Sequence, residues 1–439
     1  MTSVPKAALI SARPGTAALA LALSIWGCGS DGTAPPKIEP PPAPTGEVAR
    51  QLPTLAIDVA GGASVTSKDV YLGATYRLTD SVGAVLREGA LEIKGRGNST
   101  WDLFPKKPYR LKLGASAPLL SMPASRHWVL LANYSDKTLS RNEAVFELSR
   151  MMGLEYTPRG RDVELVFNGG YQGIYQIVEH IRIAPDRVNI PELGVDDTTA
   201  SAISGGYLLE VDERRGEDFC FNSLETRMVF CAKSPETLNE PAWSRHRAYL
   251  TDYMAKVDES IFGPHFTDPA TGYAAYIDVT SMIDYYLINE LVKNVDGNLR
   301  LSTYLYKKRG GKLHFGPVWD FDIALGNVNY DGADRVDGWH VRTAPWFSRL
   351  FQDPAFEARV KGRWQQLKSD RTVDRLFEHI SARQRYLGTV QARNFARWPI
   401  LGTWVWPNRV VTGSYDGEVI AMRDWLRQRR DWMEGELGR

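Results

Sequence analysis

The sequence predicts an α+β protein with a strand-rich N-terminal part and a helix-rich C-terminal part. Short runs of β-branched and aromatic residues, several with alternating polarity, dominate residues 54–212. Apolar residues at helical spacing dominate residues 213–439. Strands with one helix followed by a helical body favour two lobes with a cleft between them, and we expect this organisation.

The composition excludes several classes of protein without selecting one. The 439 residues are 43% hydrophobic and 24% charged, which is typical of a folded globular chain. Lys and Arg number 53 against 52 Asp and Glu, so we expect no broad basic surface and no nucleic-acid partner. Three cysteines are too few for a disulfide scaffold, and the zinc motifs His-Glu-x-x-His and Cys-x-x-Cys are missing.

The N-terminus is typical of an exported protein. Residues 1–27 have a basic start followed by an apolar stretch at 16–26, which is too short to span a membrane. The end of this segment resembles a bacterial lipoprotein signal in which Cys28 becomes lipidated, although an ordinary signal peptide with a chance cysteine is the alternative. Residues 28–53 are rich in proline and indicate a tether. We therefore expect a membrane-anchored lipoprotein, periplasmic or on the cell surface.

The other two cysteines are eleven positions apart. Cys220 and Cys231 flank a segment that we expect to form a hairpin. Because exported proteins fold in an oxidising compartment, we expect a disulfide between them, with two buried thiols as the alternative.

The elements of the N-terminal part are mostly strands. We predict strands at 70–78, 91–94, 109–113, 163–167, 171–178 and 206–212. Asn168 and Gly169 between two of them favour a tight hairpin turn, because both residues readily adopt positive φ. One helix is predicted from Leu139 to Met152, with Gly153 as its terminator.

The C-terminal part is predicted to be mainly helical. Pro241 opens one helix, Thr280 or Ser281 caps a second that runs to Val292, and Asp353 precedes a third. A last helix is marked by apolar residues between 419 and 433. Between the second and third helices we predict a hairpin of strands at 302–307 and 312–319.

The two ends of this last hairpin carry carboxylates. Asp296 and Asn298 lie in the loop before it, and Asp320 and Asp322 follow it directly. Such loops can converge on one point, where hard oxygen ligands suit Mg²⁺ or Mn²⁺. Asp296 is then placed to orient or deprotonate a hydroxyl nucleophile. The alternative is that these are turn residues, since Asp, Asn and Gly are common in turns for backbone reasons.

A second stretch combines small residues with lysines. Arg96 lies in a loop rich in glycine and small polar residues, and Lys106 and Lys107 precede the next strand. A loop of this kind can approach a phosphate group while the lysines neutralise its charge. Solvated surface lysines are the alternative, because the loop matches neither of the common phosphate-binding motifs.

Six segments in order resemble the spore-coat protein H (CotH) kinase family. They are RGNSTW with FPKKPY, NYSDKTLSRN, YQGIYQIVE, GYLLEVD, NVD and GPVWDFDIALG, and together they span about residues 55–330. The resemblance implies an atypical protein-kinase-like fold with two lobes, about 54–212 and about 213–439. It also implies transfer of phosphate from ATP to Ser or Thr of surface or secreted proteins, with Mg²⁺ or Mn²⁺ as the metal.

The resemblance assigns roles to individual residues. Lys106 or Lys107, with Arg96, is implied to contact the ATP phosphates, and Glu143 or Glu147 to pair with the lysine. Glu179 is implied to lie near the hinge between the lobes. The remaining implied residues are the catalytic Asp296 and the metal ligands Asp320, Asp322 and Asn298. Compared with ordinary protein kinases, Leu301 replaces the expected Asn and Asp322 replaces the Gly of Asp-Phe-Gly.

Two other functions are compatible with the sequence. The first is a kinase-like surface protein that binds or adheres without catalysis, as some members of the family are thought to do. The second is a metal-dependent hydrolase that uses the same carboxylates. The kinase is favoured because Asp296, Asp320 and the strand lysines are all present.

Overall fold

The computed structural model describes residues 52–216 and 218–438. The predicted export signal, Cys28 and nearly all of the predicted tether lie outside the described residues. Within the described part of the chain, no helix has the length and apolar content needed to cross a membrane.

Seven strands of the N-terminal part close into a barrel. They are β1 (Thr54–Val59), β2 (Leu72–Thr79), β3 (Val85–Gly95), β4 (Tyr109–Leu119), β5 (Met122–Leu131), β6 (Gly160–Phe167) and β7 (Gly170–Glu179). Their order is β1-β2-β3-β4-β5-β7-β6, and the parallel pair of β1 with β6 closes the ring of otherwise antiparallel pairs. A closed barrel thus replaces the kinase-like N-terminal lobe that the resemblance implies.

Alternating side chains explain how the barrel is filled. Ile57, Leu111, Trp128 and Ile177 belong to one buried apolar cluster supplied by its strands. The predicted tight turn between β6 and β7 is confirmed, because Asn168 has φ 48° and the following glycine also has positive φ.

The strands that follow the barrel form a second, five-stranded sheet. They are β8 (Tyr207–Val211), β9 (Cys220–Asn222), β10 (Val229–Ser234), β11 (Thr303–Lys307) and β12 (Leu313–Phe315). Their order is β12-β11-β8-β10-β9, with antiparallel pairs throughout. The last strand is shorter than the predicted 312–319, because Pro317 has no N–H to donate to a sheet.

Ten helices are found in the described residues. They are α1 (Ser99–Asp102), α2 (Arg141–Met152), α3 (Ser244–Phe262), α4 (Tyr273–Tyr276), α5 (Val279–Val292), α6 (Pro345–Leu350), α7 (Pro354–Ser369), α8 (Thr372–Gly388), α9 (Gln391–Arg397) and α10 (Tyr415–Leu437). Gly153 terminates α2 with φ 82°, as predicted. The cap of α5 differs from the prediction, because the Asp278 carboxylate accepts from the Ser281 N–H.

A buried ion pair joins α5 to α10. Arg429 donates to the Glu290 carboxylate at 2.6 Å, and both side chains are fully buried. The same carboxylate accepts from the backbone N–H groups of His340 and Arg342, each at 2.8 Å. This network fixes the C-terminal helix against the centre of the helical body.

Candidate active site

A cavity of about 750 Å³ is lined by residues of both sheets. The barrel supplies residues of β3 and β4, of the segment between them and of the segment after β7. The second sheet and the loops after α5 and β12 supply most of the other lining residues. Its charged lining residues are Lys94, Arg96, Arg110, Arg182, Arg214, Lys233, Arg300, Glu210, Asp212, Asp218, Glu236, Asp296, Asp320 and Asp322. The cavity therefore holds charges of both signs, from buried Asp322 to exposed Arg300 and Glu236.

The loop that carries Asp296 is fixed by buried asparagines. The Asn294 amide donates to Asn289 Oδ1 at 3.1 Å, and the Asp296 N–H donates to Asn294 Oδ1 at 3.3 Å. A Cβ on Gly297 would lie 2.2 Å from the same Asn289 oxygen, so only glycine fits there. The Tyr285 hydroxyl donates to the Gly297 carbonyl at 3.2 Å. These contacts hold Asp296 at the wall of the cavity.

The segment after β12 brings the other two aspartates to the same wall. The Phe321 N–H donates to Asn142 Oδ1 of α2 at 2.8 Å, and the Phe321 ring is fully buried. Asp320 has φ 69°, a left-handed conformation that is uncommon outside glycine and that tends to occur at functional sites. The Ser302 hydroxyl donates to Asp320 Oδ2 at 3.1 Å. Both Asp320 and Asp322 therefore line the cavity.

Burial and the charge of Asp320 raise the pKa of the other two aspartates. Burial, and then the charge of Asp320, raise the pKa of Asp296 to about 6, while Arg214 opposes this effect. Burial, and then the charge of Asp320, raise the pKa of Asp322 well above its usual value, while Arg96 opposes this effect. Negative charge is thus concentrated at one end of the cavity, where a cation would be stabilised.

The donor set suits a metal that keeps some of its waters. Among residues 52–216 and 218–438, no three His, Cys, Asp or Glu side chains are arranged to hold a metal ion by themselves. Mg²⁺ commonly takes one or two carboxylates and completes its octahedron with water and substrate phosphates. Asp320 and Asp322 fit this mode of binding.

Arg96 is the predicted phosphate-binding residue that reaches the cavity. Its guanidinium stacks on the Trp319 ring, with 5.6 Å to the ring centroid, and Trp319 directly precedes Asp320. A cation in this position faces the carboxylate end, which is the arrangement that a phosphate bound beside a metal requires.

The two predicted lysines are placed elsewhere, and the structure does not bring them to the cavity. Lys106 is buried and donates to the Ile174 carbonyl at 2.5 Å and to Asn394 Oδ1 at 3.0 Å. Burial lowers its pKa to about 7. Lys107 donates to the Trp101 carbonyl. Neither side chain lines the cavity, because each is held by backbone carbonyls.

The two predicted glutamates and Asn298 also lie outside the cavity lining. Glu143 accepts from Arg150 and from Gln176, and Glu179 accepts from Arg159 Nε at 2.9 Å. Glu147, the alternative to Glu143, also pairs with Arg150. The glutamates therefore form ion pairs with arginines rather than with a lysine. Asn298 follows the glycine of the Asp296 loop, and its buried Oδ1 has no hydrogen-bond partner.

Sequence reasoning missed several charged residues of the cavity. Arg214 lies between carboxylates: its Nε donates to Asp212 at 3.0 Å, and Asp296 and Asp320 also raise its pKa. Lys233 donates to Asp218 at 2.6 Å. The sequence did contain a signal for this part of the cavity. Asp212 stands at the end of the apolar strand predicted at 206–212, and polar residues at the ends of strands often belong to functional sites.

A disulfide lies beside these residues. Cys220 of β9 and Cys231 of β10 are joined by an S–S bond of 2.04 Å. It links the two strands next to Asp218 and Lys233, which line the cavity. The predicted lipidation site Cys28 lies outside the described residues.

Carboxylates and arginines that line one cavity can bind a divalent cation and phosphate groups together. Residues 93–433 match the family model described as CotH kinase protein. The chain therefore belongs to this family, which agrees with the resemblance of its six sequence segments. No curated protein matches the sequence.

Proposed function

We propose that the protein is an atypical protein kinase that transfers the γ-phosphate of ATP to Ser or Thr of surface or secreted proteins. The observation that carries this proposal is the convergence of Asp296, Asp320 and Asp322 at one end of a cavity that Arg96 also lines. Membership of the CotH kinase family supports it.

In this proposal each cavity residue has a distinct task. Asp320 and Asp322 hold Mg²⁺ or Mn²⁺, which supplies neutralisation of the phosphate charge when bound. Arg96 contacts the phosphates in place of the lysine that the family resemblance implies. Asp296 accepts the proton of the acceptor hydroxyl. A pKa of about 6 suits this role, because the carboxylate is mostly ionised at pH 7 and still basic enough to take a proton.

The acceptor protein is proposed to meet the kinase in the periplasm or at the cell surface. This follows from the export signal predicted in residues 1–27 and the predicted lipid anchor at Cys28. Such an anchor would keep the kinase near membrane and surface proteins.

Phosphate transfer tests the proposal directly. The full chain is incubated with γ-labelled ATP, Mg²⁺ or Mn²⁺, and a Ser/Thr-rich peptide, and the label on protein and peptide is measured. We expect Asp320→Asn and Asp296→Asn each to lower transfer at least a hundredfold, because metal binding and the base are lost. The control Asp252→Asn changes an exposed aspartate of α3 and should leave transfer unchanged.

Two outcomes would count against a kinase. Equal transfer by the wild type and Asp320→Asn would show that the label does not come from this cavity. Release of free phosphate with no label on protein would favour the hydrolase that the sequence also allows.

A further inference from the structure

A second cavity of about 590 Å³ adjoins the first, and Asp296, Asp320 and Asp322 are not among its lining residues. The two cavities share Arg182, Lys233 and Glu236. Arg110 and His180 line the first cavity, His127 lines the second, and Arg182 lines both. We call Arg110, His127, His180 and Arg182 the cationic cluster.

The cationic cluster contains polar atoms without partners. Arg110 Nε, His127 Nδ1 and His180 Nδ1 are buried and have no hydrogen-bond partner. Arg182 forms no ion pair with any residue of the described chain, and Arg110 reaches only the exposed Glu236, at 3.9 Å. Folded proteins pair nearly all of their buried polar groups, so several unpaired nitrogens around one space indicate a missing ligand.

The charge of the cluster selects the sign of that ligand. The two imidazole rings lie 6.3 Å apart, between centroids. Burial, and then the nearby arginines, lower the pKa of His180 well below its usual value and that of His127 to about 4. Both rings are therefore neutral at pH 7, and each can donate one hydrogen bond while the guanidinium groups carry the positive charge. An anion with several acceptor oxygens fits these donors.

We propose that the cationic cluster binds a terminal phosphate group, at a site separate from the carboxylates that are proposed to hold the metal. A phosphate dianion offers three acceptor oxygens and pairs with guanidinium groups through two hydrogen bonds at once. This group is either the phosphate of a phosphorylated Ser or Thr of the acceptor protein or the γ-phosphate of ATP. The two sources named here rest on the proposed function, but binding of a phosphate group at the cluster requires no phosphate transfer and can be tested without it.

Binding of two probes tests the proposal. A fluorescein-labelled peptide with one phosphoserine, its unphosphorylated twin and MgATP are titrated against the full chain. The variants are Arg182→Gln and Arg110→Gln, with Arg309→Gln as a matched control. Arg309 lines neither cavity, and like Arg110 it has a carboxylate within 4 Å, Asp197, and a buried Nε without a hydrogen-bond partner. Thermal melting checks that each variant is folded, and Arg182→Gln removes no ion pair that holds the described chain together.

We expect the phosphopeptide to bind at least tenfold more tightly than its twin, and Arg182→Gln and Arg110→Gln each to remove most of that difference. If MgATP does not displace the phosphopeptide, the ligand of the cluster is the phosphate of the acceptor protein. Displacement, with weaker MgATP binding in both variants, identifies a nucleotide phosphate. Asp320→Asn should retain phosphopeptide binding even where transfer is lost.

The proposal is overturned if the wild type binds neither probe. It is also overturned if both arginine variants bind the phosphopeptide and MgATP as tightly as Arg309→Gln does. Either result would indicate that ordered water, and not a phosphate, forms hydrogen bonds with the unpaired nitrogens.

Discussion

Replacing Asp296 by Asn should stabilise the fold while removing phosphate transfer. The carboxylate is largely buried, and burial together with the charge of Asp320 raises its pKa from the usual 3.8 to about 6. Asn has nearly the same shape but no charge. The structure records no side-chain hydrogen bond to the Asp296 carboxylate among the described residues, so the substitution breaks none of those that hold the loop.

The magnitude follows from the two pKa values. The difference between 3.8 and about 6 corresponds to a cost of about 3 kcal/mol for ionising Asp296 in the folded protein, an order-of-magnitude figure. The folded state holds the proton more tightly, so this cost is complete above pH 6 and disappears as the pH falls below 3.8. Asp296→Asn should therefore raise the free energy of unfolding by about 1–3 kcal/mol at pH 7 and by almost nothing near pH 4.

Urea unfolding at the two pH values measures this effect, with Asp252→Asn as the control. Unfolding of the control should follow the wild type at both pH values. If Asp296→Asn is less stable than the wild type at pH 7, or if its gain is the same at pH 4, the carboxylate is not held in a repulsive environment and the reasoning fails.

Three further predictions rest on the same contacts. Transfer by the wild type should fall about tenfold between pH 7 and pH 5, because a base with a pKa of about 6 becomes protonated, and a flat profile would exclude Asp296 as the base. Arg96→Met should weaken MgATP binding about tenfold, whereas Lys106→Met should leave it unchanged, as measured by calorimetric titration. The reverse result would show that Lys106, and not Arg96, binds the phosphates. Arg429→Met should lower the free energy of unfolding by about 3–5 kcal/mol, because Glu290 is left buried without its partner; a loss below about 1 kcal/mol on denaturant unfolding would contradict this.

The elements that the sequence predicts well are those set by neighbouring residues. Asn168 and Gly169 determine a tight turn locally, and Gly153 ends its helix through its own backbone conformation. Asp296 and Asp320 could be placed in one cavity because each lies at an end of the same predicted hairpin. In these cases the chain positions the residue within a few bonds.

Features that depend on distant contacts could not be predicted in this way. The barrel closes by pairing β1 with β6, strands more than a hundred residues apart, and no local pattern specifies that partner. Lys106 and Arg96 are both cations next to strands, and only the assembled barrel decides that Lys106 turns towards the Asn394 side chain. The cationic cluster likewise gathers residues from β4, β5 and the segment after β7.

The closure of the barrel has a practical consequence for the boundaries of the domain. The matched family region begins at residue 93, inside β3, so β1 and β2 precede it. A fragment that starts at that residue would lack β1 and β2, which complete the ring. It would leave β6 and the remaining residues of β3 with unpaired backbone groups, and the apolar interior uncovered. Such a fragment should aggregate, whereas one that includes Thr54 retains every strand of the barrel.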